Sequence, residues 1–152
     1  MSTDYIVASL PSLQFDAPAP LSWDAFCARV GDDVIPPTWA DFEAQLRNAM
    51  AIARGGEKNI RTTTGCSLYW QNRMTACFQE KDPLKREMLI DRVWWDAADT
   101  LTSVSNPLGA GALATYAIRL KIVLRRSAIS HDKGHEAFDR LTSPTKREFK
   151  NG

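Results

Sequence analysis

The sequence predicts an all-α fold, a compact bundle of five or six helices with an extended, Pro-containing N-terminal segment. Apolar residues recur at steps of three, four and seven along several stretches, which is the periodicity of helices that bury one face. Capping residues precede these stretches, and Gly or Pro residues separate them. The 152 residues have the usual size of one domain and can bury roughly 68–70% of the unfolded surface without disulfides or metals.

The first 21 residues form the predicted extended segment. Residues 5–10 are apolar and fit either a strand or a turn of buried helix, because periodicity cannot distinguish the two at this length. Three prolines follow and favour extended backbone: Pro11, Pro18 and Pro20. Leu13 and Phe15 are apolar anchors, so we expect this segment to pack against the rest of the domain.

Two helices are expected next. Ser22 can cap a short helix over residues 23–30, with Asp24 in its first turn to suit the helix dipole. Thr38 followed by Asp41 resembles a capping box and predicts the start of the second helix. That helix carries a clear apolar stripe: Trp39, Phe42, Leu46, Ala49, Met50 and Ala53.

Two further helices are expected in the middle of the chain. The first should cover residues 63–79, with one face formed by Cys66, Trp70, Met74 and Cys77. Asp82 caps the second helix, and Pro83 takes the first helical position, where its missing N–H costs nothing. The apolar stripe of that second helix comprises Ile90, Val93, Trp94, Ala97 and Leu101.

The dipeptide Asn106-Pro107 repeats the same signal and predicts the start of a further long helix. Two glycines weaken its first turns by up to about 1 kcal/mol each relative to alanine: Gly109 and Gly111. A short apolar helix is expected over residues 137–141. Residues 1–142 therefore form a single helical domain, and the polar residues 143–152 form a tail that we expect to be flexible.

Charge and composition argue against several classes of function. The formal net charge of +1 lacks the basic excess of most nucleic-acid-binding proteins. No uninterrupted apolar run approaches the roughly 18 residues of a membrane span. The N-terminus has no basic stretch followed by an apolar segment, so a secretory signal is not expected. We therefore predict a soluble, cytoplasmic protein, peripheral to the membrane at most.

The sequence offers no catalytic constellation. Its three cysteines lack CxxC spacing and are predicted to be reduced, buried thiols: Cys27, Cys66 and Cys77. His131 and His135 could share a helix face and hold a metal, but Gly134 intervenes and a solvated helix start explains them better. We predict no enzymatic activity, cofactor, metal or small-molecule substrate; a small metal-dependent enzyme using the histidines is the lesser alternative.

Two features remain as candidate partner-binding sites. Trp94 and Trp95 would point about 100° apart on a helix, so one should lie at a boundary or interface unless the core has a broad apolar face. Four basic residues follow on the next helix: Arg119, Lys121, Arg125 and Arg126. They could meet an acidic partner, nucleic acid or lipid headgroups, or pair with carboxylates of neighbouring helices. Asp96 and Asp99 are expected to be solvated or paired with Arg92.

Several segments resemble a known bacterial family when taken in order. They are Tyr5–Asp16, Pro20–Phe26, Phe42–Met50 followed by Ala53-Arg54, Asp82–Trp94, and Leu113–Lys121 with Arg125 and Lys133-Gly134 after it. The family is encoded with bacterial V-type (A-type) ATPases and is similar to the central-stalk component known as C in prokaryotes and d in eukaryotes. The resemblance covers roughly residues 5–142. The chain is much shorter than that stalk component, and Arg126-Ser127 stand where the family carries an aromatic residue.

This resemblance implies an all-helical, non-catalytic component that couples the central shaft to the membrane ring of the ATPase. Its implied partners are other V-type ATPase subunits, so torque would pass through it between ATP hydrolysis and ion translocation. The family has no established functional residues to carry over. The alternative is an adaptor or assembly factor of another complex, built on the same helical scaffold.

Overall fold

The computed structural model describes residues 2–55 and 67–129, and that part of the chain is all-α, as predicted. Its helices are α1 (Thr3–Ser9), α2 (Trp23–Val30), α3 (Thr38–Ala53), α4 (Leu68–Phe78), α5 (Pro83–Ala98) and α6 (residues 110–129). A single 3-10 turn, Asp99–Leu101, extends α5. No strand occurs in these two ranges. The predictions for Cys66, His131, His135 and residues 137–152 lie outside the described part.

Two of the predicted helix caps are present. The Ser22 hydroxyl accepts a hydrogen bond from the Ala25 N–H at 3.1 Å and starts α2. The Asp82 carboxylate accepts from the Leu84 N–H at 3.0 Å, and Pro83 is the first residue of α5. Caps of this kind are each worth about 1 kcal/mol, because they satisfy N–H groups that the helix itself leaves unpaired.

The N-terminal segment is not extended throughout. Thr3–Ser9 form α1, whose first turn is capped by the Ser2 hydroxyl accepting from the Tyr5 N–H at 3.4 Å. No residue of α1 is buried, so this apolar stretch is neither a strand nor a turn of buried helix. Residues 10–21 lack regular secondary structure, and there the predicted anchoring is confirmed: Phe15 is buried and Leu13 packs against the core.

Three helix starts differ from the prediction. Helix α4 begins at Leu68, after the non-helical Ser67, rather than at residue 63. Thr38 is already helical and Pro37 takes the cap position without a side-chain hydrogen bond, so no capping box forms. The third difference is at Asn106-Pro107, because α6 begins only at residue 110. Turns occupy the intervening chain, in which the Gly109 N–H donates to the Asn106 carbonyl oxygen at 3.2 Å. The dipeptide therefore starts a turn rather than a helix.

Helices α5 and α6 pack side by side in opposite directions. The Thr115 hydroxyl donates to the Ala98 carbonyl oxygen at 2.8 Å, whereas ten residues further along α6 Arg125 pairs with Asp91. Contacts thus move backwards along α5 as they move forwards along α6. Helix α4 packs against both α3 and α5. The arrangement is a compact bundle, in which α3, α5 and α6 border a common groove.

Buried side chains form two adjoining clusters. The main core joins α3, α4, α5, α6 and the N-terminal segment, with Leu46, Met74 and Val93 almost completely enclosed. The second cluster centres on Phe26 of α2, whose ring stacks on Tyr116 of α6 at 5.5 Å between centroids. Helix α2 is therefore held against α6 through this cluster.

Candidate functional site

A groove of about 630 Å³ opens between α3, α5 and α6. Its volume lies within the 300–1,000 Å³ typical of binding sites. Most of its lining residues are apolar: Ile35, Pro36, Trp39, Ala40, Met50, Ile90, Trp94, Ile118 and Ile122. Charged side chains complete it: Glu43, Arg47, Asp91, Lys121 and Arg125. We call this site the α3–α5–α6 groove.

Aromatic rings from two helices meet in the groove. Trp39 of α3 and Trp94 of α5 form an edge-to-face pair with centroids 6.3 Å apart. Trp39 is buried and also stacks on Phe42 at 5.4 Å, whereas Trp94 is only partly buried. The Arg47 guanidinium lies 5.9 Å from the Trp94 ring, a cation–π contact at the groove's edge. Trp94 is thus held in place while part of it stays accessible.

The adjacent tryptophans occupy different environments, although both pack against the main core. Trp95 is 7% exposed, and its ring lies 5.5 Å from that of Phe15. Trp94 packs against the same core from the groove side. Both rings therefore pack against the same core, which corresponds to the broad apolar face, and Trp94 is the more accessible of the two.

Asp91 is a buried carboxylate shared by two arginines. It accepts a hydrogen bond from Arg125 and lies 3.5 Å from the Arg126 guanidinium. Burial raises the pKa of Asp91 above its ordinary value, although both arginines act in the opposite direction. The apolar surroundings therefore outweigh the two neighbouring positive charges. Asp91 was not among the predicted site residues. Its position between Ile90 and Val93, which belong to the apolar stripe of α5, could have indicated a buried carboxylate.

Lys121 is one of three exposed cations that line the groove, together with Arg47 and Arg125. Its ammonium group lies 4.7 Å from the Trp23 ring. Within residues 2–55 and 67–129 no carboxylate lies within ion-pair distance of it. Arg47, across the groove on α3, is instead paired with Glu43 at 2.8 Å. The α6 side of the groove therefore carries the greater positive charge.

The remaining basic candidates contact the fold itself. Arg119 donates a hydrogen bond to the Trp95 carbonyl oxygen at 3.1 Å, and its guanidinium lies 4.8 Å from the Trp95 ring. Burial lowers the pKa of Arg119. Arg126 lies 4.2 Å from the Phe15 ring. Of the six predicted partner-binding residues, three line the groove: Trp94, Lys121 and Arg125. The other three do not: Trp95, Arg119 and Arg126.

The two acidic residues near the end of α5 are ion-paired. Asp96 pairs with Arg73 of α4 at 2.7 Å and with Arg92 at 3.5 Å, so the expected Arg92 contact is present. Asp99 is exposed and lies 3.7 Å from Arg119. The Arg73 contact links α4 to α5 and was not predicted, because the two residues are 23 positions apart.

The described residues contain no candidate metal site. No group of three or more His, Cys, Asp or Glu side chains there could hold a metal ion. Cys77 is buried, and desolvation raises the pKa of its thiol; Cys27 is partly buried. In the same part of the chain, no helix has the length and hydrophobicity needed to cross a membrane.

Comparison of the chain with protein-family models, curated protein sequences and solved structures finds no significant match.

Proposed function

We propose that this chain is a non-catalytic protein-binding domain and that the α3–α5–α6 groove is where its partner docks. The observation that carries the proposal is an open groove of about 630 Å³ with a mainly apolar lining and a partly accessible tryptophan, Trp94. Tryptophan and arginine are enriched among the residues that dominate binding at protein interfaces. Arg47 beside Trp94 gives the groove both of them.

More specifically, we propose that the partner belongs to a V-type (A-type) ATPase, as the family resemblance implies. Three of the segments that carry the resemblance fall on the helices that line the groove: Phe42–Met50 on α3, Asp82–Trp94 on α5 and Leu113–Lys121 on α6. The resemblance extends over most of the chain and therefore includes the helices that border the candidate docking surface. The corresponding location is the cytoplasmic side of the membrane, at the junction of shaft and ring.

A variant that fills the groove tests this proposal. Ala40 lines the groove and is exposed, so Ala40→Trp should obstruct it without removing a core contact. Ala76→Trp is the matched control, because Ala76 is exposed on α4 and outside the groove. The wild-type chain and both variants are mixed with shaft and ring subunits from the same genome, and binding is measured by biolayer interferometry.

We expect Ala40→Trp to weaken binding at least about tenfold, because displacing a hot-spot contact typically costs 2 kcal/mol or more. Ala76→Trp should bind like the wild type. Equal binding by both variants would exclude the groove as the docking site. Failure of the wild-type chain to bind either subunit would reject the ATPase assignment, and groove-dependent binding to another complex would support the adaptor alternative.

A further inference from the structure

We propose that the occupant of the α3–α5–α6 groove is an amphipathic helix of a partner protein that carries acidic side chains along one edge. This inference rests on the proposed function and adds the chemistry of the partner. It follows from the shape of the groove, from the charge along α6 and from the secondary structure that surrounds the site.

The dimensions of the groove suit a short helix. Its lining on α3 extends from Trp39 to Met50, eleven residues of helix, or roughly 16 Å. About three turns of a docked helix would match this length. Such a helix would place apolar residues at positions i, i+3, i+4 and i+7 on the tryptophan and isoleucine side chains of the groove.

An extended peptide has less to bind to. Extended segments gain affinity by adding a strand to an exposed sheet edge, where main-chain hydrogen bonds are available. The described part of the chain contains no strand, and helices satisfy their own main-chain groups except at their ends. A partner helix, whose own backbone is already hydrogen-bonded, needs only side-chain contacts from the groove.

The charge of the groove favours an acidic partner. Arg47 and Glu43 neutralise each other on the α3 side. On the α6 side the described lining has one negative charge, Asp91, which contacts Arg125 within the groove and Arg126 outside it. Arg126 also lies 3.7 Å from Asp16. Lys121 adds another positive charge, with no carboxylate of the described residues close enough to pair with it. An apolar segment with acidic flanking residues would balance this excess.

The positions of the two α6 cations set the spacing of the acidic residues. Lys121 and Arg125 are four residues apart on one helix, which places them on the same face about 6 Å apart along the axis. Two carboxylates four residues apart on a docked helix have the same separation. The acidic edge should therefore have Asp or Glu at i and i+4, beside the apolar stripe rather than within it.

Selection from an unbiased peptide library tests the inference. The full chain is immobilised and used to select from a displayed library of random 16-residue peptides. Sequences that also bind Ala40→Trp are removed, because Ala40 lines the groove and its replacement by Trp should obstruct it. We expect the remaining sequences to be amphipathic helices with acidic residues at i and i+4 along one edge of the stripe.

Charge reversal then tests the role of Lys121. Lys121→Glu should weaken the selected peptide about fivefold or more, and exchanging its acidic pair for lysines should restore binding to this variant. Lys85→Glu is the matched control: Lys85 is an exposed lysine on α5 outside the groove, and its reversal should leave the affinity unchanged. Circular dichroism of the peptide in the complex reports whether it is helical.

Each contrary result has a distinct meaning. Groove-dependent peptides that are neutral, basic or non-helical would overturn this inference but leave the proposed function standing. A library without groove-dependent binders would count against both. Binding of phosphatidylglycerol vesicles that is lost in Lys121→Glu, without peptide binding, would identify a lipid surface instead. A dimer in light scattering that Ala40→Trp dissociates would identify a second copy of the chain as the occupant.

Discussion

Replacing Gly111 by alanine should destabilise the fold more than its place in a helix suggests. A Cβ atom there would lie 3.0 Å from the Leu101 carbonyl carbon, 3.3 Å from Thr102 Cα and closer still to the Leu101 oxygen. Ordinary contacts begin at about 3.4 Å. Because these atoms belong to the backbone, no side-chain rotation can relieve the clash, and the 3-10 turn and α6 must separate.

The expected magnitude is a loss of about 2 kcal/mol. Inserting a methyl group into a packed site typically costs 1–3 kcal/mol, and a backbone obstacle favours the upper part of that range. The higher helix propensity of alanine offsets up to about 1 kcal/mol of this loss of stability. For a domain of this size, 2 kcal/mol lowers Tm by roughly 4–8 °C. Urea unfolding followed by tryptophan fluorescence measures the change directly.

Gly109→Ala is the matched control. The three atoms nearest to a Cβ at Gly109 all belong to the Asn106 side chain: Nδ2 is the closest, followed by Cγ at 2.7 Å and Oδ1 at 3.1 Å. Asn106 is exposed, so its side chain can rotate away, and we expect a change within about 0.5 kcal/mol. If Gly111→Ala proved no more destabilising than Gly109→Ala, the close approach of Leu101 would not be the constraint that we infer.

Three further predictions concern single side chains. Tyr116→Phe removes a 2.6 Å hydrogen bond to the Pro11 carbonyl oxygen. It should lower the free energy of unfolding in urea by about 1 kcal/mol and speed proteolysis of the N-terminal segment. Unchanged proteolysis would contradict this. The raised pKa of Asp91 means that protonation of this carboxyl favours the folded state. As the pH falls from 7 towards 4, the wild type should therefore gain stability relative to Asp91→Asn in urea unfolding. The opposite trend would show that the arginines dominate the pKa of Asp91. Cys77 is buried with a raised thiol pKa and should resist iodoacetamide until the protein unfolds, as mass spectrometry of the labelled peptides can check; rapid native labelling would contradict its burial.

Features set by neighbouring residues were predictable from sequence. The signal for the start of α5 consists of adjacent residues, the Asp82 cap and Pro83, and the structure has both at the expected positions. Ser22 is a second example. Asn106-Pro107 shows the limit of this reasoning, because the same kind of signal begins a series of turns when the following backbone is held against Leu101. The local pattern was the same, but the tertiary contact decided the outcome.

The candidate site depends on contacts that no local pattern contains. The sequence predicted a basic side on α6 but not that Arg125 would meet Asp91, 34 residues earlier. It likewise predicted that Trp94 and Trp95 would diverge, without indicating which would border a groove. That choice depends on where α3 lies, since Trp39 packs against Trp94. The helices could thus be predicted from the periodicity of apolar residues, whereas the groove could not, because it depends on how three helices pack together.

The contacts that hold the N-terminal segment affect the order in which the protein can fold during synthesis. Pro11 is held by Tyr116, 105 residues later, and Phe15 packs between Trp95 and Arg126. A ribosome adds about 5–20 residues per second, so the segment waits roughly 5–20 s before its α6 partners exist. Until α6 is synthesised, Phe15 lacks its contact with Arg126 and Pro11 lacks its contact with Tyr116. Residues 11–15 can therefore reach their final contacts only after α6 has been made.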